Sequence, residues 1–253
     1  MPVPPPAVKP AVQPASQAGP RAYERWRSSR LGGVTESLEQ TCILDFIGQV
    51  EGRRILDLGC GDGLLTWTLA DRGARAVGID VDRAMLDVAS ARPVRSQRQR
   101  PRFVEGRIEQ LPFPDGSLDV VVIVTVLCLV ADRAGAVREA ARALRPGGRL
   151  VVGDLGRWSA WAARRRAKAW LGSKLCQSAH FSTATGLSHL VERAGLIVED
   201  VRGSVYYPPI GVLAGPLALL DRCFGSITTV GAAFIVLAAR KPATGVSTRT
   251  RSS

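Results

Sequence analysis

The chain has 253 residues, 46% of them hydrophobic, enough to bury a substantial core and unlike a disordered or low-complexity protein. The formal net charge is +12, yet only four of the 34 cationic residues are lysines, so an arginine-rich composition explains the basicity as well as an anionic partner does. Five scattered cysteines with no C-x-x-C pair, and only two histidines, argue against a disulfide framework and a zinc site, so the expected setting is the reducing cytosol with no metal.

Residues 1–20 are rich in proline and alanine and are expected to be a disordered tail without the apolar core of a signal peptide. From Arg21, the clusters Tyr23-Glu24-Arg25-Trp26 and Leu38-Glu39 to Ile47 predict two helices separated at Leu31-Gly32. Ile55-Leu56-Asp57-Leu58 then reads as an apolar strand running into Gly59-Cys60-Gly61-Asp62-Gly63, with helical spacing from Leu64 onward. A strand, a glycine turn and a helix N-terminus together make a cradle for a nucleotide, because the missing side chains admit the ligand and the helix offers free N–H groups. The dinucleotide pattern G-x-G-x-x-G would place its third glycine at position 64, which is Leu, so an NAD-dependent reductase is disfavoured.

A second strand, Ala76 to Asp80, ends in an acid about twenty residues beyond the turn, where a carboxylate can accept hydrogen bonds from both hydroxyls of a ribose. Asp82 is the expected cap of the helix over Ala84–Ala89, and Val81 and Met85 are placed to pack against an adenine or within the core. The loop 92–102 carries Arg92, Arg95, Arg98, Arg100 and Arg102 without interleaved aromatics and reads as a solvated face, so nucleic acid is not the expected partner. Arg102–Glu105 is a third strand. Val120–Val124 is a continuous apolar run, as a parallel strand buried on both faces requires. It leads into Thr125-Val126-Leu127-Cys128 at the edge where ligands sit in open α/β sheets. Asp132 caps a helix over Arg133–Leu144, and Pro146-Gly147-Gly148 turns the chain into a strand over 149–152.

Three stretches carry a family resemblance. Asp57–Gly63 resembles motif I of the class I S-adenosylmethionine-dependent methyltransferases, a hydrophobic run followed by D-x-G-C/T-G-x-G. Gly106–Asp119 is similar to the G-D-A-E-x-L-P-F-P-D-x-S-F-D segment of the ubiquinone/menaquinone-type members, and Ala143–Val152 reads A-L-R-P-G-G-R-L-V-V, another hallmark of that group. The resemblance implies a Rossmann-like seven-stranded α/β sheet with helices on both faces and a C-terminal antiparallel hairpin, here strands over 196–207 and 228–240. It implies S-adenosyl-L-methionine as cofactor, with Asp57, Gly59, Cys60, Gly61, Asp80, Val81, Arg107, Ile108 and Thr125 around it. Arg107 stands where the family has an acid that holds the adenine amino group. A guanidinium accepts no hydrogen bond, so only the backbone of Arg107 and Ile108 is carried over. The Tyr-x-x-Trp segment and the acidic helix behind it resemble the N-terminal cap that closes over the cofactor and shapes the acceptor pocket.

The expected organisation is therefore a methyltransferase domain over 21–241 between tails at 1–20 and 242–253, with lid-like insertions near 157–180 and 208–226. The first insertion mixes Trp158, Trp161 and Trp170 with Arg164, Arg165, Arg166 and Lys168, and on a helical wheel they do not separate into faces. An amphipathic membrane helix is therefore weakly supported, an acceptor lid explains the tryptophans equally well, and a structural helix stands beside both. The second, Pro208–Gly225, is a long apolar connection, read as an acceptor lid or a membrane-surface contact. His180, Asp154, Tyr206 and Tyr207 are the polar groups expected to face a small apolar acceptor methylated at oxygen or carbon. Two other readings are a nucleic-acid methyltransferase, for which the N/D-P-P-Y/F motif is missing after the fourth strand, and a cofactor-binding interaction protein without catalysis. Peripheral contact with the inner membrane face belongs to the small-molecule reading.

Overall fold

The computed structural model describes residues 19–93, 99–170 and 180–243. The outer parts of both expected tails (1–18 and 244–253), Arg95 and Arg98 of the basic loop, and residues 171–179 of the tryptophan- and arginine-rich segment lie outside the described residues.

The frame is one seven-stranded sheet. Strands β1 (Arg54–Leu58), β2 (Arg75–Asp80), β3 (Arg102–Glu105), β4 (Leu118–Val124) and β5 (Leu144–Leu155) are parallel, and β7 (Phe234–Arg240) runs antiparallel to both β5 and β6 (Ile197–Ser204). The order across the sheet is β3-β2-β1-β4-β5-β7-β6, the expected Rossmann-like arrangement with its antiparallel end. The chain leaves β1 toward β2 and β3 and later returns on the other side as β4. That reversal opens a crevice beyond the C-terminal ends of β1 and β4, the position where open α/β sheets bind ligands.

Alternation along the strands fills two cores. Leu56, Leu58, Val121 and Ile123 point to one face, under Val137 and Ala140 of α5 (Arg133–Ala143) and Leu187 and Val191 of α7 (Ala184–Glu192). Ile55, Val120 and Val122 point to the other, under Ile43, Phe46 and Ile47 of α2 (Arg30–Ile47) and Leu69 of α3 (Leu64–Asp71). Both faces of β4 are sealed, which is why Val120–Ile123 are apolar without interruption.

The N-terminal helices are α1 (Gly19–Ser28) and α2, so α1 begins inside the stretch expected to be tail, with Pro20 in its first turn where a missing N–H costs little. The break falls at Ser29 rather than at Leu31-Gly32. The Ser29 side chain caps α2 by accepting from the Gly32 N–H at 3.0 Å, and Gly32 lies inside the helix. Glycine is needed there for close approach, since a Cβ would lie 2.0 Å from the Trp26 carbonyl oxygen. Helix α4 (Arg83–Ala91) is capped by Asp82 and α5 by Asp132, as the sequence indicates, and α7 is capped by Thr183.

Two connections differ from expectation. The strand after α5 starts at Leu144 and includes the Pro-Gly-Gly turn, with Leu118 paired to Leu144 before a register shift brings Val120 opposite Arg149. The stretch expected to be a long loop at 208–225 contains helix α8 (Gly211–Gly225), and β7 starts at Phe234, later than the sequence suggested. Asp221 on α8 is buried and accepts from the Ser204 hydroxyl and the N–H groups of Val205 and Tyr206 at 2.8–2.9 Å. Those bonds hold Val205 at a φ of 64°, a conformation a β-branched residue adopts only under constraint. The sixth helix in chain order is α6 (Ala160–Trp170).

Candidate functional site

The donor end of the crevice is built from β1, β2 and their turns. Gly59 has a φ of 70°, and a Cβ there would lie 2.2 Å from the Val126 side chain, so the turn after β1 admits only glycine at this point. The N–H groups of Gly59 and Cys60 donate to the Ile79 carbonyl at 2.7 and 2.9 Å, which ties the turn to β2. The next N–H, Gly61, donates to Asp80 Oδ2 at 2.8 Å, and Asp82 N donates to Asp80 Oδ1 at 2.9 Å. Each carboxylate oxygen of Asp80 thus uses one acceptor position on backbone and keeps another for the crevice, the capacity a ribose diol needs.

Asp57 lies behind the turn, 3% exposed, accepting from Thr66 Oγ1 at 2.6 Å. Burial, reinforced by the charges of Asp80 and Asp62, pushes its carboxyl up to about 7 against the Thr66 hydrogen bonds. At the end of β4, Thr125 sits at a φ of 53° with its N–H on the Gly153 carbonyl, a strained backbone at the mouth of the site.

A lid of helices closes the opposite side. Arg27 of α1 reaches Asp62 in the glycine turn at 2.6 Å and Glu36 of α2 at 2.8 Å, while Arg92 beyond α4 binds the same Asp62 carboxylate. Burial alone would raise the Asp62 carboxyl, but Arg27 and Arg92 outweigh it and hold it below the usual carboxylate range. Tyr23 and Trp26 stack on α1 with ring centroids 5.8 Å apart. On the far side, Trp161 of α6 donates to the Tyr207 carbonyl at 2.9 Å and Arg164 to the Pro209 carbonyl at 3.0 Å.

Turn and lid together enclose a cavity of about 500 Å³, within the usual range of about 300–1,000 Å³ for cofactor and small-molecule sites. Of the nine residues expected around the cofactor, Asp57, Gly59, Cys60 and Gly61 line its floor, and Asp80, Val81, Ile108 and Thr125 its sides. The ninth, Arg107, does not line it: its guanidinium turns to Glu109 at 3.3 Å, and Ile108 faces the cavity instead. A backbone cradle with an acceptor-only carboxylate and an apolar wall of Val81, Met85 and Ile108 fits the ribose and adenine of S-adenosylmethionine.

The three residues expected to face the acceptor lie elsewhere. Asp154 is fully buried at the end of β5, where Ser182 and Arg133 donate to its Oδ2. Tyr207 is 2% exposed, its hydroxyl shared with Thr35 Oγ1 at 2.8 Å, and burial pushes it up to about 12. His180 is exposed at the surface, with its backbone N–H on the Cys128 carbonyl. None of the three lines the cavity, and the fourth polar group considered, Tyr206, donates to the Thr228 carbonyl. Of the charged groups that line the lid side, Arg165 stands in the segment expected to be an acceptor lid, while Arg27, Glu36 and Glu39 carry no individual role in the sequence reading. For α2 a signal exists: Thr35, Glu39 and Ile43 recur every four residues on one helical face, and two of the three are buried.

Comparison with known proteins places this geometry. Residues 56–152 match a family model described as a methyltransferase domain. A ubiquinone biosynthesis O-methyltransferase from Methylobacterium sp. (strain 4-46) is 31% identical over 206 residues, 77% of this chain and 81% of that protein. A demethylmenaquinone methyltransferase from Tropheryma whipplei (strain Twist) is 42% identical over 106 residues, and the match spans 42% of this chain and only 43% of that protein. The crystal structure of a methyltransferase from Thermotoga maritima shares the fold with a TM-score of 0.65 at 22% identity, covering 87% of this chain and 95% of that one. With the motif I turn, Asp80 and the seven-stranded sheet in place, the chain belongs to the S-adenosylmethionine-dependent methyltransferases.

Proposed function

We propose that the protein transfers a methyl group from S-adenosylmethionine to oxygen or carbon of a small, largely apolar acceptor. The observation that carries this reading is the continuity of the cavity. Its floor is the glycine turn and Asp80, and its roof is the aromatic and apolar wall of Tyr23, Trp26, Ile43 and Trp161. When bound, the cofactor supplies a methyl group made electrophilic by its sulfonium. The chain's part is to hold the ribose at Asp80, to seat the acceptor under α1, α2 and α6, and to keep water away from both. The names of the relatives support a quinone-type ring as acceptor.

The apolar acceptor leads to the second element of the proposal, peripheral contact with a membrane surface. Trp158, Trp170, Ile227 and Val230 are 61%, 90%, 79% and 68% exposed, and Trp158 and Val230 border one shallow cavity beside Arg157. No helix among the described residues is long and apolar enough to cross a membrane.

The test is incubation with methyl-labelled S-adenosylmethionine and demethylmenaquinone, or a phenol bearing an aliphatic tail, with extraction into organic solvent. Label in the organic phase is expected. Label only in protein or nucleic acid would overturn the small-molecule reading. Asp80→Ala should weaken cofactor binding by about 3 kcal/mol, roughly 100-fold, since two charge-assisted hydrogen bonds go with it. Near-unchanged calorimetric affinity would remove Asp80 from the ribose.

A further inference from the structure

Among the described residues, Glu39 is the one lid carboxylate of the cavity that is not already committed. Glu36, one turn before it on α2, is held by Arg27, whereas no hydrogen bond or ion pair of Glu39 is found among the described residues. Its side chain is half-buried and lines the cavity, on the helical face that carries Thr35 and Ile43 into the same wall. Arg165 of α6 lines the same cavity, and its charge favours ionised Glu39. The other titratable groups around it are Glu36 on its own helix, Tyr23 and Arg27 on α1, and Tyr207 after β6. An uncommitted carboxylate in a burial costly to charge is a group waiting for a proton donor.

We propose that Glu39 is the general base of the reaction and that the acceptor is a phenol-type hydroxyl seated between Glu39 and Arg165. This rests on the methyltransferase reading above and narrows it to oxygen. The pairing of base and guanidinium decides the chemistry. A hydroxyl that loses its proton becomes an oxyanion, and Arg165 opposes the charge that develops. An alkylammonium would instead meet Arg165 as a like charge. In the step itself the hydroxyl proton moves to a Glu39 Oε, and an oxygen lone pair forms the new O–CH₃ bond. The bond from the methyl carbon to sulfur breaks as it does so, and its electron pair stays on sulfur, which passes from sulfonium to neutral thioether. Burial, offset only in part by Arg165 and reinforced by Glu36, pushes the carboxyl up to about 8, close to the pH at which a base must be free yet still strong.

The test uses the full chain as wild type, Glu39→Gln and Glu39→Asp, with 4-nitrocatechol, 1-naphthol and a tailed phenol as acceptors. S-adenosylhomocysteine should bind all three proteins with affinities within about twofold by calorimetry, because Glu39 lies on the acceptor side. If wild type does not bind it, the methyltransferase reading fails. If it binds and none of the phenols is methylated, the hydroxyl assignment falls while that reading stands. Where methylation occurs, Glu39→Gln should lower kcat by about 10²–10⁴-fold, the usual weight of a general base, with KM changed less than about threefold. Glu39→Asp should retain partial activity. The rise of wild-type kcat/KM toward a plateau above pH about 8 should be absent in the Gln variant. Independent of turnover, ¹³C NMR of labelled glutamate should show one carboxyl titrating near 8 that is missing from the Gln variant. Equal kcat in wild type and Gln variant, or unchanged pH profiles, would overturn the proposal.

Discussion

Asp57 is buried and Glu39 half-buried, and both carboxyls hold their protons more tightly folded than unfolded, up to about 7 and about 8 from ordinary values of 3.8 and 4.5. A raised acid contributes stability that is complete below its unfolded value and is lost as pH rises through its folded value, since the unfolded chain then binds fewer protons. The cofactor-free protein should therefore lose stability between pH about 4.5 and about 8 on account of these two groups. Urea unfolding across that range is the measurement, and Asp57→Asn or Glu39→Gln should each flatten the profile. A stability that climbs steadily through the window in wild type, with no change in either variant, would show that neither carboxyl is desolvated in solution. Asp62 and Glu139 act in the opposite sense. For Asp62 burial is outweighed by Arg27 and Arg92, and for Glu139 Arg142 is the leading cause, so the stability they lend disappears in acid.

Among the elements, α1 and α2 make the lid, and their junction depends on very few atoms. Ser29→Ala removes the cap of α2 and should cost about 1 kcal/mol, read as a shift in the urea midpoint at unchanged slope. Arg27→Ala removes both the Asp62 and the Glu36 contacts of α1. Amide hydrogen exchange over residues 19–28 should then speed up while that of β1 and β4 stays as it was, and uniform exchange in both proteins would mean that α1 is held by packing alone.

The donor half of this site was legible in the sequence because its chemistry is local. Three glycines, a following helix and an acid at the end of the next strand stand within 25 residues and need only the strand-turn-helix to meet. The acceptor half was not, because Glu39 is one of 22 acidic residues and acquires a role only when α2 is laid beside a cavity that Arg165 also lines. Bases are scarce in the sequence, which puts His180 and Asp154 among the groups expected to face the acceptor, but the fold sends one to the surface and pairs the other internally with Arg133 and Ser182. Helix α8 is hidden in the sequence because Gly211, Gly215, Pro216 and Gly225 all lower helix propensity. Its helicity is decided by tertiary partners, Asp221 against the turn after β6 among them.

At the scale of the whole molecule, the excess of arginine has two destinations. Part of it is structural: Arg142 binds Glu139 and Asp115, Arg145 binds Asp119, and Arg149 and Arg240 share Glu199. The rest contributes to the net charge of +12, and Trp158, Ile227 and Val230 are exposed, with the Arg157 guanidinium 5.4 Å from the Trp158 ring. If this edge rests on a bilayer, the protein should co-sediment with vesicles of anionic phospholipid, less with neutral ones, and release as salt rises toward about 0.5 M. Trp158→Ala should weaken the association, and equal partition to neutral vesicles in high salt would exclude an electrostatic membrane contact.

The carboxylate of Asp62 is shared by a lid helix and the segment beyond α4, and it sits in the turn that receives the donor. The bond joins the donor turn to the lid helix, so the expectation is that the donor binds before the acceptor. Arg27 already holds Asp62 in this structure, and a donor that steadies this turn would steady α1 with it. Steady-state kinetics should accordingly follow an ordered sequence, with an acceptor analogue inhibiting uncompetitively toward S-adenosylmethionine. In the Arg27→Ala protein that order should relax to random.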